Sequence, residues 1–500
     1  MEFISVNSTF YSLLVFSIDL IVRIGISVKV IMNKRAYSVT LAWLLVVLFV
    51  PFAGGICYFL FGTNRLPGKR VARAKMSYTT YMSWLQSLKD RVLVEDRFFA
   101  ERFLPLQRQA EKLVGIPAMA GNRIELLFTP ETIIGAILEA IENAVSSCHM
   151  EFYIWQEGGL IDSVNQALID ATKRGVACRL LLDSLGSREF LQSGTAEKMR
   201  TAGIRIEESL PTGLFAAFFS RVDIRNHRKI VVVDGNLAFT GSQNMADPDY
   251  FKKEMGIGNW IDVMARVEGP VVETLAGTFF SDWFLERERE NLNFSPLILE
   301  NISKAQQAGD IKSLPRAGEV PIQFVPSGPG PEAESIRDLL LTAIYSAREE
   351  LVLTTPYFIP GEALEVALKS AAERGVKVKI ILPEENDSIM VKYASRAHYE
   401  ELVQAGVEIY LFAGGLLHSK TITVDGKLSL FGSVNLDMRS FWLNFEATLF
   451  IYSEDFTRKL VVLQQQYLEQ STLLDISVFA KRGTFERFKE NLYLLVSPLL

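Results

Sequence analysis

Apolar residues are concentrated at the start of the chain and then fall into short, regularly spaced runs. Val39 to Phe61, VTLAWLLVVLFVPFAGGICYFLF, carries no charge. A helix of that length covers the roughly 30 Å hydrocarbon layer of a bilayer, and a helix in a globular core is seldom apolar on every face. A transmembrane helix is predicted there, with Pro51, Gly54 and Gly55 permitting a kink or a re-entrant hairpin. Phe10 to Met32 is also apolar but is interrupted by Asp19, Arg23 and Lys29. Asp19 and Arg23 stand four apart, share a helix face and can pair, so a first spanning or interfacial helix is predicted. It lacks the basic start of a cleaved signal. Lys34 and Arg35 lie between the two segments, and Arg65, Lys69, Arg70, Arg73 and Lys75 follow the second. That excess places the rest of the chain on the cytoplasmic side, and the same residues suit anionic lipid head groups.

Beyond about residue 115 the pattern becomes strand and helix in alternation, and it is written twice. Ala144 to Gln156, AVSSCHMEFYIWQ, is echoed by Ala343 to Tyr357, AIYSAREELVLTTPY. ATKRGVACRLLL from Ala171 returns as AAERGVKVKIIL from Ala371, and AGIRI from Ala202 returns as AGVEI from Ala405. Gly just past a helix end closes the helices, and short β-branched runs such as Ile230 to Val233 read as buried parallel strands. The order predicts an α/β fold: two α/β/α sandwich domains with helices on both sheet faces, related by a pseudo-two-fold axis. The divisions are a membrane anchor at 1–62, a basic amphipathic linker at 63–114, a first domain at 115–298, a linker at 299–318, a second domain at 319–478, and a C-terminal amphipathic helix at 479–500. In that last segment Phe485, Phe488, Leu492 and Leu495 form one apolar face, suited either to a membrane interface or to packing on the domain.

Each half ends in the same signature. NHRKIVVVDGNLAFTGSQN supplies His227, Lys229, Asp234, Gly241, Ser242 and Asn244, and LHSKTITVDGKLSLFGSVN supplies His418, Lys420, Asp425, Gly432, Ser433 and Asn435. Both read H-x-K-x4-D-x6-G-S-x-N, and they hold two of the chain's four histidines. A buried strand needs neither an imidazole nor an ammonium at fixed offsets. Residues two apart on a strand face the same side, so each His and its Lys point together, while the G-S-x-N segments add hydroxyl, amide and backbone donors. Doubled by pseudo-symmetry, this gives two imidazoles and two ammoniums facing one spot. Such a site suits a phosphodiester: cations hold the anionic oxygens, one imidazole attacks and the other protonates the leaving group. Carboxylates and cysteines lack metal-ligand spacing, so catalysis with no metal and no cofactor is expected.

Composition narrows this further. Five hundred residues exceed one ordinary domain, and the net charge of −6 argues against a nucleic-acid binder, whose footprint is usually basic. Cys57, Cys148 and Cys178 suggest neither a disulfide framework nor a zinc site.

The doubled motif resembles that of the phospholipase D superfamily. Over nearly the whole chain, IRNHRKIVVVDG, TGSQNMADPDYF, LHSKTITVDG, GSVNLDMRSFWLNFE, the PYF at Pro356 to Phe358, the terminal SPLL and the two N-terminal segments resemble bacterial cardiolipin synthases. The resemblance implies a phosphatidyltransferase of the bacterial inner membrane. One phosphatidylglycerol gives its phosphatidyl group to a histidine and releases glycerol; a second attacks the phosphohistidine to give cardiolipin. It implies His227 as nucleophile and His418 as general acid and later base, although pseudo-symmetry leaves those roles open from sequence alone. Lys229 and Lys420 would hold the phosphate. Asp234 and Asp425 belong to the catalytic motif but are mainly structural in the superfamily, and Asp262 and Glu446 match the carboxylates that steady each imidazole. Ser242, Asn244, Ser433 and Asn435 would support the site. The expected partners are phosphatidylglycerol, cardiolipin and an anionic bilayer, with no nucleic acid; homo-oligomerisation stays open. A hydrolytic phospholipase D, another phosphatidyltransferase, a nuclease or a silent membrane scaffold are the alternatives. Arg439 suits either a head-group phosphate or a structural ion pair. Phe215, Phe218, Phe219, Leu416 and Leu417 suit either an acyl-chain entrance or the core, and His149 and His398 read as structural.

Overall fold

The computed structural model describes residues 2–33, 37–62, 84, 88, 99–211, 221, 223–287, 304–329 and 335–496. Lys34, Arg35, the basic residues from Arg65 to Lys75, Phe215, Phe218, Phe219, most of the 63–114 linker, part of the 299–318 linker and the terminal SPLL lie outside them.

The first half contributes β1 (Met119–Leu127), β2 (Ser147–Phe152), β3 (Ala177–Asp183), β4 (Arg205–Ser209), β5 (Arg225–Asn226), β6 (Ile230–Val233), β7 (Leu237–Gly241), β8 (Trp260–Ile261) and β9 (Met264–Glu268). The second contributes β10 (Val320–Ser327), β11 (Glu350–Thr354), β12 (Lys377–Pro383), β13 (Glu408–Phe412), β14 (Leu416–Leu417), β15 (Thr421–Val424), β16 (Leu428–Gly432), β17 (Asn444–Ile451) and β18 (Ser471–Leu473). One continuous sheet runs β18-β13-β12-β11-β15-β16-β17-β10-β1-β9-β7-β6-β2-β3-β4. Leaving out the extra edge strand β18, the order reads alike from both ends, so the repeat has become a pseudo-two-fold sheet joined at the antiparallel pair β1–β10. Buried Asn122 fastens that seam: its Nδ2 donates to Met119 O at 2.6 Å and Val320 O at 3.1 Å, and its Oδ1 accepts from Val271 N at 2.8 Å.

Helices cover both faces, as the alternation of strand side chains requires. Cys148, Met150 and Phe152 share a core cluster with Ile133, Ile137 and Val164 of the helices Pro130–Glu142 and Leu160–Lys173. Between them His149 points the other way, stacked on Phe279 of the helix Val272–Arg287 with ring centres 5.2 Å apart. Its Nε2 lies 3.1 Å from Asp310, and His398 Nδ1 lies 2.7 Å from Glu365, so both of these histidines are buried structural groups.

The sequence reading of β6 as a parallel strand is corrected. Strands β2, β3 and β4 are parallel, but β6 is antiparallel to both β2 and β7. The signal passed over was Asp-Gly. Asp234 and Gly235 have φ of 51° and 61°, Asn236 N donates to Val233 O at 3.1 Å, and the resulting type I′ turn folds β6 onto β7. Asp425 and Gly426, with φ of 50° and 65°, fold β15 onto β16 in the same way. Each aspartate also collects backbone donors from the start of the neighbouring strand. Asp234 accepts from the N–H groups of Val145, Ser146 and Ser147 at 3.0, 2.7 and 2.9 Å. Asp425 accepts from those of Arg348, Glu349 and Glu350 at 2.9, 2.7 and 2.8 Å.

The N-terminal segment also departs from expectation. Val39–Phe61 is not one helix: α1 (Glu2–Met32) is followed by α2 (Tyr37–Phe49) and α3 (Ala53–Phe61). Among the described residues no helix is both long and apolar enough to cross a membrane. Pro51 breaks the run, and α3 folds back on α2. Trp43 and Tyr58 meet edge to face at 5.3 Å, whereas on a straight helix they would stand about 20 Å apart. The bend is held by the charged pair of α1. Asp19 bridges Arg23 at 2.6 Å and accepts from Phe52 N at 3.0 Å, while Arg23 donates to Leu48 O at 2.9 Å. The sequence pairing of Asp19 with Arg23 therefore stands, and the pair supplies the bend's otherwise open backbone groups.

Replacing Asp425 by Ala strands backbone donors beside a fully buried side chain and frees Arg102, which bridges it at 2.9 Å. A loss of about 3 kcal/mol is expected, and a smaller one for Asp234→Ala, whose surroundings are wetter. Thermal denaturation of the purified chain reads this ranking; unchanged midpoints would overturn the structural role.

Candidate active site

Each motif histidine sits just beyond a two-residue strand that pairs with the opposite half. Strand β5 lies alongside β17, and His227 N donates to Phe445 O at 2.9 Å. Strand β14 lies alongside β8, and His418 N donates to Ile261 O at 2.9 Å. The carboxylates follow the same exchange. His227 Nδ1 lies 2.9 and 3.1 Å from the two Glu446 oxygens, and His418 Nδ1 lies 2.7 Å from Asp262 Oδ1. The ring of the first half is thus held by the carboxylate of the second, and the reverse. Sequence reasoning selected both carboxylates but could not pair them, because the pairing is a property of the docked halves.

The G-S-x-N residues support this layer. Ser433 Oγ donates to Glu446 Oε2 and accepts from Ala447 N at 2.9 Å, and Asn444 Nδ2 donates to Glu446 Oε1 at 3.2 Å. Ser242 Oγ accepts from Val263 N at 3.0 Å, beside Asp262. The glycines are there for contact: a Cβ on Gly241 would lie 2.3 Å from Val263 O, and one on Gly432 would lie 2.1 Å from Ala447 O. Asn244 accepts from Ile154 N at 3.3 Å, and Asn435 lies at the matching place.

Both rings open onto one cavity of about 750 Å³, lined also by Tyr153, Tyr357, Asn244 and Asn435. With Nδ1 engaged by a carboxylate, Nε2 is the ring nitrogen left for chemistry, and it has no partner among the described residues. Lys229 and Lys420 are buried beside the rings, each donating from Nζ to the carbonyl of its own motif histidine, at 2.8 and 2.5 Å. Asp234 and Asp425 do not share this place. They terminate β6 and β15 at the far end from the rings, about 20 Å of extended chain away. They build the hairpins that carry the site.

Burial dominates the electrostatics. It lowers His227 and His418 to about 4, aided by the ammoniums of both lysines and opposed by each carboxylate partner. Burial lowers Lys229 to about 7, aided by Lys420, and lowers Lys420 to about 8. Burial would raise the carboxylates, but His418, Lys420 and the Ser242 hydroxyl hold Asp262 down at about 2. His227, Lys229 and the Ser433 hydroxyl likewise keep Glu446 below its ordinary range. Near neutral pH the resting site therefore pairs neutral rings with ionised carboxylates. Each imidazole feels both ammoniums, so the two motifs form one electrostatic unit. Among the described residues no three His, Cys, Asp or Glu side chains are grouped as metal ligands.

Other residues complete the cavity wall. Arg225 donates to Asp183 Oδ1 at 3.1 Å and lines the cavity near His227. Arg439 also lines it, donates to Asp223 O at 2.6 Å and lies 3.9 Å from Asp223 Oδ2, the ion pair among the two readings left open for it. Across the cavity Tyr357 Oη donates to Asp387 Oδ1 at 2.8 Å and Lys252 Nζ to Asp387 Oδ2 at 3.0 Å. Trp260 lies against His418 with ring centres 4.5 Å apart. Leu416 and Leu417 are fully buried core residues, which removes them from any entrance.

The sequence profile for "Cardiolipin synthase, PLD-like domain" matches residues 137–262 and 340–467, one stretch in each half and each holding a motif. A "Phospholipase_D-nuclease N-terminal" profile matches residues 21–62. Cardiolipin synthase A of Yersinia pseudotuberculosis serotype O:3 (strain YPIII) is 44% identical over 499 residues, covering 99% of this chain and 100% of the relative. Cardiolipin synthase A of Yersinia pestis matches with the same identity and coverage. Among solved structures, phosphatidylserine synthase of Haemophilus influenzae Rd KW20 aligns with a TM-score of 0.57 at 17% identity, covering 79% of this chain and 100% of that one, a likeness of fold. With both halves matched by the profile and full-length relatives at this identity, the chain belongs to the cardiolipin synthase family of phospholipase D-like proteins.

Proposed function

We propose that the chain transfers a phosphatidyl group from one phosphatidylglycerol to another, giving cardiolipin and glycerol through a phosphohistidine. The observation that carries this reading is the opening of two carboxylate-held imidazoles, one from each half, onto a single cavity. His227 Nε2 attacks the phosphorus, and the bond to the glycerol oxygen breaks as His418 gives that oxygen a proton. The phosphorylated ring becomes cationic and is balanced by Glu446, which is held ionised for that purpose. The terminal hydroxyl of a second phosphatidylglycerol then passes its proton to His418 and attacks phosphorus, and the bond to His227 breaks. A phosphodiester anion in the cavity favours the charged form of His418, which takes up a proton at Nε2 as substrate binds, while His227 attacks as the neutral ring. Lys229 and Lys420 stabilise charge that builds on the non-bridging oxygens.

The helices α1 to α3 form the bilayer anchor. Large apolar side chains from Phe10 to Met32 on α1, and Leu41, Leu45, Phe49, Phe52 and Ile56 on the hairpin, are exposed, a surface expected in lipid and not in water. The α2–α3 hairpin enters and leaves the bilayer on one side, with the catalytic halves facing the cytoplasm of the bacterial cell.

Purified chain supplied with phosphatidylglycerol alone is expected to release cardiolipin and equimolar glycerol by mass spectrometry. Phosphatidic acid as the main product would assign a hydrolase instead. His227→Ala is expected to abolish transfer, and His418→Ala to retain a phosphatidyl adduct on His227; an adduct on His418 in the His227→Ala protein would reverse the roles. Glu446→Gln is expected to slow turnover by on the order of a hundredfold or more, through loss of ring orientation.

The pH profile has a defined sign. A lysine lowered by burial is charged below its pKa and loses that charge above it. Thus kcat/KM is expected to fall as pH rises through 7 to 8. An alkaline limb near the ordinary lysine value of about 10.4 would count against the buried ammoniums.

In sealed vesicles of a Cys57→Ser protein, cysteines placed at Val39 and Phe59 are expected to react with an impermeant maleimide from the same side. Modification from opposite sides would mean that the segment crosses.

A further inference from the structure

The C-terminal helix Thr484–Val496 is oriented inside out. Surface helices normally bury their apolar stripe and show polar residues to water. Here the polar side is fastened to the protein. Glu490 is 1% exposed and accepts from Arg396 Nε at 2.9 Å and Arg482 Nε at 2.7 Å. Tyr493 stacks on Tyr393 with ring centres 5.4 Å apart. The apolar side faces outward, with Phe485 68%, Phe488 60%, Leu492 46% and Leu495 71% exposed. These fall at i, i+3, i+7 and i+10, a single stripe. The two arginine contacts to buried Glu490 fix which side is presented, so the exposure is built into the packing.

The helix against which it packs, Ile389–Arg396, belongs to the cavity wall. Val391 lines the cavity together with the preceding Ser388 and Asp387. At the start of that helix Ile389 and Met390 are 67% and 37% exposed, extending the apolar surface toward the cavity. A stripe in contact with the wall of a site for a two-chain lipid has one fitting occupant. We infer that Ile389, Met390, Phe485, Phe488, Leu492 and Leu495 form a second membrane-docking surface, separate from α1 to α3, which seats the catalytic unit on the bilayer beside the cavity. The interfacial helix immerses its apolar stripe among acyl chains, and a phosphatidyl head group in that leaflet reaches the cavity without leaving the membrane. A second copy of the chain is the competing occupant. This inference rests on phosphatidyl transfer only for the identity of the lipid that enters.

Two readouts separate its failure from failure of the enzymatic reading. In the first, bimane is attached to Leu492→Cys in the full-length Cys57→Ser protein, reconstituted in phosphatidylglycerol vesicles. Brominated acyl chains are expected to quench the label whether or not the protein is active. No quenching overturns the docking surface, and disulfide cross-linking between labelled-site cysteines in its place assigns the stripe to a copy–copy interface. In the second, the Phe485→Ser/Phe488→Ser/Leu492→Gln protein is compared with wild type on long-chain phosphatidylglycerol in bilayers and on a short-chain form dissolved below its micellar concentration. Loss of the stripe is expected to lower kcat/KM about tenfold on bilayers and to leave the soluble substrate unaffected, with restoration by Phe485→Leu/Phe488→Leu in an otherwise native stripe. Equal losses on both substrates with an unchanged denaturation midpoint would overturn the inference, as would no loss on either.

Discussion

The site depends on an exchange of carboxylates across the midline of the molecule. Each motif imidazole is oriented by a residue of the other half, His227 by Glu446 and His418 by Asp262. A ring held at Nδ1 can present only Nε2, and a carboxylate buried against a ring is kept ionised by it. Orientation and charge are therefore fixed by one contact, and that contact exists only when the β1–β10 seam is closed. The fold requirement and the chemical requirement are the same requirement, which explains why so much buried polar structure, from Asn122 to Ser433, is placed along the midline.

Burial then sets the ionisation states. Alone in an apolar interior, each of these groups would be forced neutral at a cost of several kcal/mol. As a connected set they can share charge. The carboxylates remain ionised, the rings are neutral, and the lysines lie near the point of losing their protons. A site in that condition is matched to an anion, whose negative charge favours the charged forms of the ammoniums.

How far this was legible in the sequence differs from part to part. The signatures identified the two imidazoles, two ammoniums and supporting serines and asparagines because chemistry demands particular residue types at particular offsets. The repeat foretold two similar halves. Strand direction was misread at β6, since a four-residue apolar run has no polarity of its own; the Asp-Gly pair that follows carried the hairpin information. Asp234 and Asp425 share the motif with the rings, although seven residues of extended chain carry them away from those rings. Val39–Phe61 was read by its length, whereas Pro51 and the Asp19–Arg23 clamp, whose hydrogen bonds reach across to another helix, decide that it bends. Asp387 and Lys252 left no trace because a cavity wall is assembled by topology and not by spacing.

The two halves are alike but not interchangeable. Glu446 reaches its ring with both oxygens and is itself held by Ser433 and Asn444, while Asp262, one methylene shorter, reaches with one. Since each half holds the other's imidazole, a change in the support of one copy displaces the ring of its twin.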